Sequence, residues 1–532
     1  MGSHISVISL SVVCLLMIAS PAAHAEDWPT YQHDNRRSGV TGEQLQMPLH
    51  RAWEYIPCDH PRTAWSGPAK WDSYAGLVNL KSMRDFDPVF YVTVAETSVF
   101  FGSSIDNAVH CLDAASGREK WVAFANGPVR LPPSLYDGKL YFGGDDGCVY
   151  CVRCDSGQTI WRHEAAPGGA QIPIDGRLAS LWPCRTGALV QDSRVYFAAS
   201  LLPWQKTYLC ALDAQTGASD GPGLYKRQLE QMTAQGPMLA SATRLYLSQG
   251  RQVPLVFERA TGSMVQSLGS SGFGGVFGLL TEDSIFVHGH GQNHRADGEL
   301  RFFGGSKNDL LVTFPRATTL VIHNGVIYLY ADGWLQAFDR DSYVELQSRI
   351  DLLQASIQQL QERRKKLARD ASDVQRRQLD AEIAAAQAEI PTLQAELSAC
   401  VPWRVASDCP LTLILAGDTL FAGGEGKVDA HEAATGERIW TAPVEGRAYG
   451  LAAAAGSLFV STDLGRIVCF TAPEIRAGTT QGPRPAQCVL RRCSQPMRPA
   501  QTMPSTIAPT TGTTADTSVL SSGSNASDPD CG

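Results

Sequence analysis

Three stretches of the chain repeat one pattern. Residues 109–121 read V-H-C-L-D-A-A-S-G-R-E-K-W, residues 149–161 read V-Y-C-V-R-C-D-S-G-Q-T-I-W, and residues 428–440 read V-D-A-H-E-A-A-T-G-E-R-I-W. Each predicts a short strand, a turn closed by a glycine at positive φ, and a second strand opened by a large aromatic ring. The fixed points are Asp113, Gly117 and Trp121, then Gly157 and Trp161, and Gly436 with Trp440; partial copies put Asp213 and Gly217, and Gly262, in the same turn. A unit this small cannot bury both faces alone. Repetition at about forty residues is the signature of a propeller or solenoid, in which stacked neighbours supply the missing core.

Eight strand-rich units can be counted, at 90–121, 131–161, 188–217, 237–262, 275–305, 318–341, 410–440 and 449–474. The expected fold is therefore all-β, an eight-bladed β-propeller of four-stranded blades whose first part is 26–342 and whose second part is 399–474. Residues 49–56, L-H-R-A-W-E-Y-I, alternate as a strand should and are predicted to complete the last blade, closing the ring. Residues 64–74 read as a long loop over one face of the disc.

The two parts are separated by an insertion at 343–398 with helical periodicity. Leu346, Ile350, Leu353, Ile357, Leu360 and Leu367 form one heptad seam, with Arg364 in a skipped core position, and Leu379, Ile383, Ala386, Ile390, Leu393 and Leu397 form another. Two such seams predict an antiparallel coiled-coil hairpin, with Pro391 removing one hydrogen bond from the second helix.

At the N-terminus an apolar run ends in Ala-His-Ala25, which predicts a signal peptide over 1–25 and a soluble product exported to the periplasm or cell envelope. Beyond 474 the Pro/Thr/Ser-rich composition of 475–532 predicts a disordered tail. The formal net charge of -8 gives no electrostatic basis for binding nucleic acid, and no transmembrane segment is expected in the mature chain. Removing Cys14 with the leader leaves thirteen cysteines in an oxidising compartment, and Cys400 with Cys409 is the expected bridge, Cys488 with Cys493 a second. Cys148, Cys151 and Cys154 are expected to pack between sheets, the first and last on one face and Cys151 on the other.

The repeat resembles that of the quinoprotein-type propeller family over about residues 27–474, apart from the insertion. That family holds quinone-dependent alcohol dehydrogenases together with non-catalytic propellers, among them the lipoprotein of the outer-membrane β-barrel assembly machinery. The resemblance implies that Trp121, Trp161 and Trp440 dock against the glycine turn of a neighbouring blade. In the enzymes, pyrroloquinoline quinone (PQQ) lies on a tryptophan floor under a vicinal disulfide, beside a calcium ion. This chain has no adjacent Cys-Cys pair and no C-x-x-C-H haem motif, so it is more similar to the non-catalytic members, with no cofactor expected; PQQ and calcium belong to the alternative, a quinone-dependent dehydrogenase.

Two constellations carry chemistry. His288, His290 and His294, with Asp297, read H-x-H-x-x-x-H-x-x-D and offer imidazoles to a metal ion. Trp65, Lys70, Trp71, Trp182, Arg185, Trp204 and Lys206 combine aromatic surface with positive charge and are candidates to line a pocket for an anionic or sugar-like ligand at one mouth of the channel, or else to pack loops against the disc. Asp145 and Asp146 read as turn residues. The expected function is an interaction scaffold, with a protein partner engaged through the coiled-coil arm or a propeller face; a ligand-binding propeller without turnover is a further alternative.

Overall fold

The computed structural model describes residues 26–65, 86–174, 176–250, 252–269, 274–289, 298–304, 310–367 and 373–473. The leader, the tail, Cys488, Cys493, Lys70, Trp71, His290, His294 and Asp297 lie outside them.

Among the described residues the strands form six separate four-stranded antiparallel sheets, one two-stranded hairpin, and one eight-stranded sheet that is two blades joined with the short strand Val40–Thr41 at its edge, so the ring has eight blades. They occupy 92–124 (blade 1), 134–164 (blade 2), 189–229 (blade 3), 239–267 (blade 4), 277–315 (blade 5), 317–406 (blade 6), 412–447 (blade 7) and 448–471 (blade 8). Blades 7 and 8 share the seventeen-residue strand Arg438–Ala454, whose first half pairs with blade 7 through Val428–Ala442 and whose second half pairs with blade 8 through Leu451–Val460. The strand His50–Tyr55 lies antiparallel on the last strand of blade 8, pairing Trp53 with Cys469, so the ring closes as the sequence predicts.

Side-chain alternation explains why a blade cannot stand alone. Along Thr412–Ala416, Leu413 and Leu415 enter the cluster shared with blade 6, while Ile414 and Ala416 enter the one shared with blade 8. Cys148 faces blade 1 and Cys151 faces blade 3, each in a separate apolar cluster, with Cys154 packed on the Cys148 side. Both faces of an inner strand are thus covered by neighbours, and strand Cys148–Arg153 is buried up to its last residue whereas the outer strand Thr159–Glu164 is mostly exposed.

The glycine turn and the aromatic ring lock successive blades. The Trp121 ring lies against Gly157, the Trp161 ring against Gly217 and the Trp403 ring against Gly436, each close enough that a Cβ on the glycine would sit 2.4–2.7 Å from ring carbons. Each indole N–H donates to a carbonyl of the same turn: Trp121 to Cys154 at 3.2 Å, Trp161 to Ala214 at 3.0 Å and Trp403 to Ala433 at 3.0 Å. Trp53 does the same for Gly117, and Tyr225 takes the tryptophan's place at Gly262. Trp440 donates instead to Leu49 at 2.9 Å, where the ring closes.

Residues 26–41 occupy the axis, which no periodicity announces. Trp28 bridges to Val94 of blade 1, Pro29 accepts from Leu135 of blade 2, and Asn35 bonds Val190 of blade 3 and Ala240 of blade 4. Arg36 accepts from Leu280 of blade 5, and Val40–Thr41 pairs in parallel with Leu415 and Ala416 of blade 7. The segment satisfies its backbone on the inner strands as it circles the channel.

Two helices interrupt blade 6 between its third and fourth strands: α1 (Arg340–Lys366) and α2 (Asp373–Ala399), packed antiparallel. Asp339 caps α1 by accepting from Ser342 N–H at 3.0 Å. Every seam residue named from the sequence is buried or half-buried. Arg364 pairs across the hairpin with Asp380, and Arg349 with Glu389. Cys400 and Cys409 do not form the expected bridge and are free thiols. The Cys400 thiol is turned back to the Glu396 carbonyl at the end of α2, while Cys409 is buried beside the Asp429 carboxylate.

Candidate functional site

The axial cavity, about 480 Å³, is bounded by the N-terminal segment and the first strands of several blades. Its aromatic lining includes Tyr31, Phe86, Tyr91, Phe277, Tyr330 and Tyr449. Arg37 enters it fully buried, donating to the carbonyls of Met238, Tyr31 and Asp34 and to Thr30, with burial lowering its guanidinium to about 10. Calcium takes six to eight oxygen ligands. The described lining offers one carboxylate, Asp332, and Arg316 holds it at 2.7 Å; no tryptophan contributes a floor. These residues do not match a calcium–quinone centre.

A second cavity, about 540 Å³, opens where the loops after blades 1 and 2 meet residues 61–64 and the short hairpin Gln171–Ile174 with Arg177–Ser180. Four guanidinium groups line it, those of Arg62, Arg130, Arg177 and Arg185, against the single carboxylate of Asp145. Arg185 is fully buried and grips Asp145 through Nε at 2.9 Å and Nη2 at 2.8 Å, with the Trp65 ring over its guanidinium at 5.3 Å. Arg130 bridges Asp145 at 2.8 Å to Asp87 at 2.6 Å, and Asp87 accepts from Ala64 N–H at 2.8 Å. Burial pushes the Asp145 carboxyl up, but Arg130 and Arg185 more than offset this and hold it below its ordinary value. Asp145 is therefore the centre of an ion network, not merely a turn residue. Asp146 accepts from the Tyr150 hydroxyl.

Of the pocket candidates, the structure brings Trp65 and Arg185 together. Trp182 packs edge-on against Tyr208, Trp204 is 74% exposed, and Lys206 bonds Gln228 at 2.9 Å. Arg62, Arg130 and Arg177 carry no motif: the first two are lone arginines in irregular connections, marked only by Pro61 and by prolines 128 and 132–133, and Arg177 opens a four-residue strand too short to show a period.

His288 is buried in blade 5, its Nδ1–H donating to Phe277 at 2.9 Å and its ring stacked on Phe286, and burial lowers it to about 4. A neutral imidazole anchored in this way serves the sheet. Asp408, Cys409 and Asp429 are close enough to share a cation, but the Lys427 ammonium is already there, 2.5 Å from Asp408 and 3.0 Å from Asp429. The Cys409 thiol is pushed up to about 12, first by burial and then by Asp429.

Residues 66–300 match the family model described as outer membrane protein assembly factor BamB. The fold is shared with quinohemoprotein alcohol dehydrogenase from Comamonas testosteroni, at a TM-score of 0.52 and 13% identity over 86% of this chain and 82% of that one. It is shared also with a europium-containing methanol dehydrogenase, at 0.50 and 11% over 84% and 98%. Tetrathionate hydrolase from Acidianus ambivalens is 35% identical over 54 residues, so the chain spans 10% of that relative's length. Blade count, glycine–aromatic locks and the family match over residues 66–300 agree on one fold, a PQQ-dehydrogenase-like β-propeller.

Proposed function

We propose that this protein is an exported, non-enzymatic interaction scaffold of the cell envelope that engages a protein partner through its helical arm. The observation that carries the reading is the arm itself. Its two 27-residue helices, about 40 Å long at 1.5 Å per residue, satisfy their own seam and leave charged outer faces exposed. Its base is anchored: Tyr343 stacks on Phe314 and packs against Phe338, and Ser348 donates to Leu311 at 2.7 Å. A rigid, solvated projection on a fixed base suits recognition better than chemistry. The match to BamB, an outer membrane protein assembly factor, supports an envelope setting.

Replacing 343–398 with a short Gly/Ser linker tests the reading. The propeller is expected to keep its melting temperature and to lose a protein that the full chain retains from envelope extracts. Retention of every partner removes the arm's role, and saturable dye-linked oxidation of alcohols or sugars after reconstitution with PQQ and calcium would establish the dehydrogenase instead.

A further inference from the structure

The network around Asp145 carries more positive charge than it neutralises. Asp145 is shared by two guanidinium groups, and Asp87 is bound by one of the same two. Arg177 reaches only neutral acceptors, the carbonyls of Ser104 at 2.7 Å and Ile105 at 3.0 Å. Burial lowers its guanidinium, and repulsion from Arg62 and Arg130 lowers it further, as expected where cations crowd one space. Arg185 keeps one nitrogen, Nη1, buried with no hydrogen-bond acceptor. A buried charged donor without an acceptor is costly, and in a native fold it needs an explanation.

The walls are not uniformly polar. Ile174 and Leu178, on the two strands of the hairpin, line the cavity beside the arginines, and Leu178 is 62% exposed at its rim. A volume of about 540 Å³ with one charged wall and one apolar wall suits a small amphiphilic molecule, not a lone ion. Guanidinium forks favour acceptors with two or more oxygens on one centre.

We propose that the cavity beside blades 1 and 2 binds a small organic oxyanion, its carboxylate, phosphate or sulfonate head held by Arg130, Arg177 and Arg185 and its body resting on Ile174 and Leu178. The site is independent of the arm, so either proposal can fail without the other. The cation–π contact of Trp65 with Arg185 makes indole fluorescence the natural reporter.

The test titrates the chain with hexanoate, hexyl phosphate and hexanesulfonate at constant ionic strength, with inorganic phosphate and chloride as controls, followed by tryptophan fluorescence and calorimetry. At least one of the three is expected to saturate a single site at millimolar concentration or below and to bind more tightly than inorganic phosphate, and comparison of the three tells which head group fits. Arg177→Gln, at the rim, is expected to weaken binding tenfold or more. Leu178→Glu, at the exposed rim, provides a second reading should the hairpin loosen without Arg177, because its carboxylate would repel the head group; Arg185 is left intact because its loss would strand Asp145. A response equal to that of chloride, no saturation by any of the three, or affinities within twofold of the parent in both variants would overturn the proposal.

Discussion

The backbone nitrogen of Glu26 donates to the buried carboxylate of Glu43 at 2.7 Å, and the other oxygen of Glu43 accepts from Gly456 N–H at 2.7 Å. Among the described residues, no Lys or Arg side chain pairs with this carboxylate. Cleavage after Ala25, which the sequence predicts, would convert that amide nitrogen into an ammonium ion and supply the missing cation where the N-terminal segment enters the axis. A chain beginning at Glu26 is expected to melt about 2–4 °C above one extended by Gly-Ser, and Glu43→Gln to abolish the difference. Equal melting temperatures would show that the carboxylate is served by the amides alone.

The blade locks predict a graded response to alanine. At Gly217, φ is +72° and a Cβ would meet the Trp161 ring at 2.7 Å, so Gly217→Ala and Trp161→Ala are each expected to cost about 3–5 kcal/mol in urea unfolding. Gly138 has a similar φ of +66° with nothing within 4 Å of its Cβ position. Gly138→Ala is expected to cost only about 1–2 kcal/mol, from backbone strain alone. Equal losses at the two glycines would mean that ring contact contributes nothing.

His110 gives the stability a pH dependence. It is buried, which disfavours its charge, but its ring nitrogens meet Asp106 at 2.9 Å and Glu119 at 3.2 Å, and these raise it to about 9 from an ordinary 6.5. A raised cation stabilises the fold below its unfolded value and loses that contribution as pH climbs through the folded one. Denaturant midpoints are expected to fall between pH 6.5 and 9, with His110 accounting for a loss on the order of 3 kcal/mol, and to fall less in His110→Gln. A parent and variant with parallel profiles would remove His110 as the cause.

The arm is expected to unfold separately. Ile357 is buried in its seam, so Ile357→Asp should open the hairpin to limited proteolysis within 340–399 while the main thermal transition stays within about 2 °C. A large drop in the main transition would make the arm part of the propeller's core.

What could be read from the residues was whatever repeats or has a period. Three copies of the S/T-G-x-x-x-W repeat identified the blade, the eight strand-rich units gave their number, and the heptads at Ile350, Ile357 and Leu393 returned a hairpin whose buried residues those are, because such patterns reflect local geometry that each unit must satisfy in the same way. Trp53, Tyr225 and Trp403 belong to the same locks but lie outside full copies of the motif, so their role emerged only when Gly117, Gly262 and Gly436 came to rest against them. The cysteine bridge failed for a related reason: nine residues of sequence separation say nothing about which way two thiols turn, and Cys409 turns inward to Asp429.

The sequence by itself thus determined the blades, their number, the closing strand and the arm. Tertiary structure alone decided the rest: residues 26–41 fill the axis, and Arg62, Arg130, Arg177 and Arg185 converge on one cavity from three separate stretches of chain, the last two sharing the connection between blades 2 and 3. Neither has a period, since the side chains arrive from different connections and only the packing of these against one another sets the distances between them.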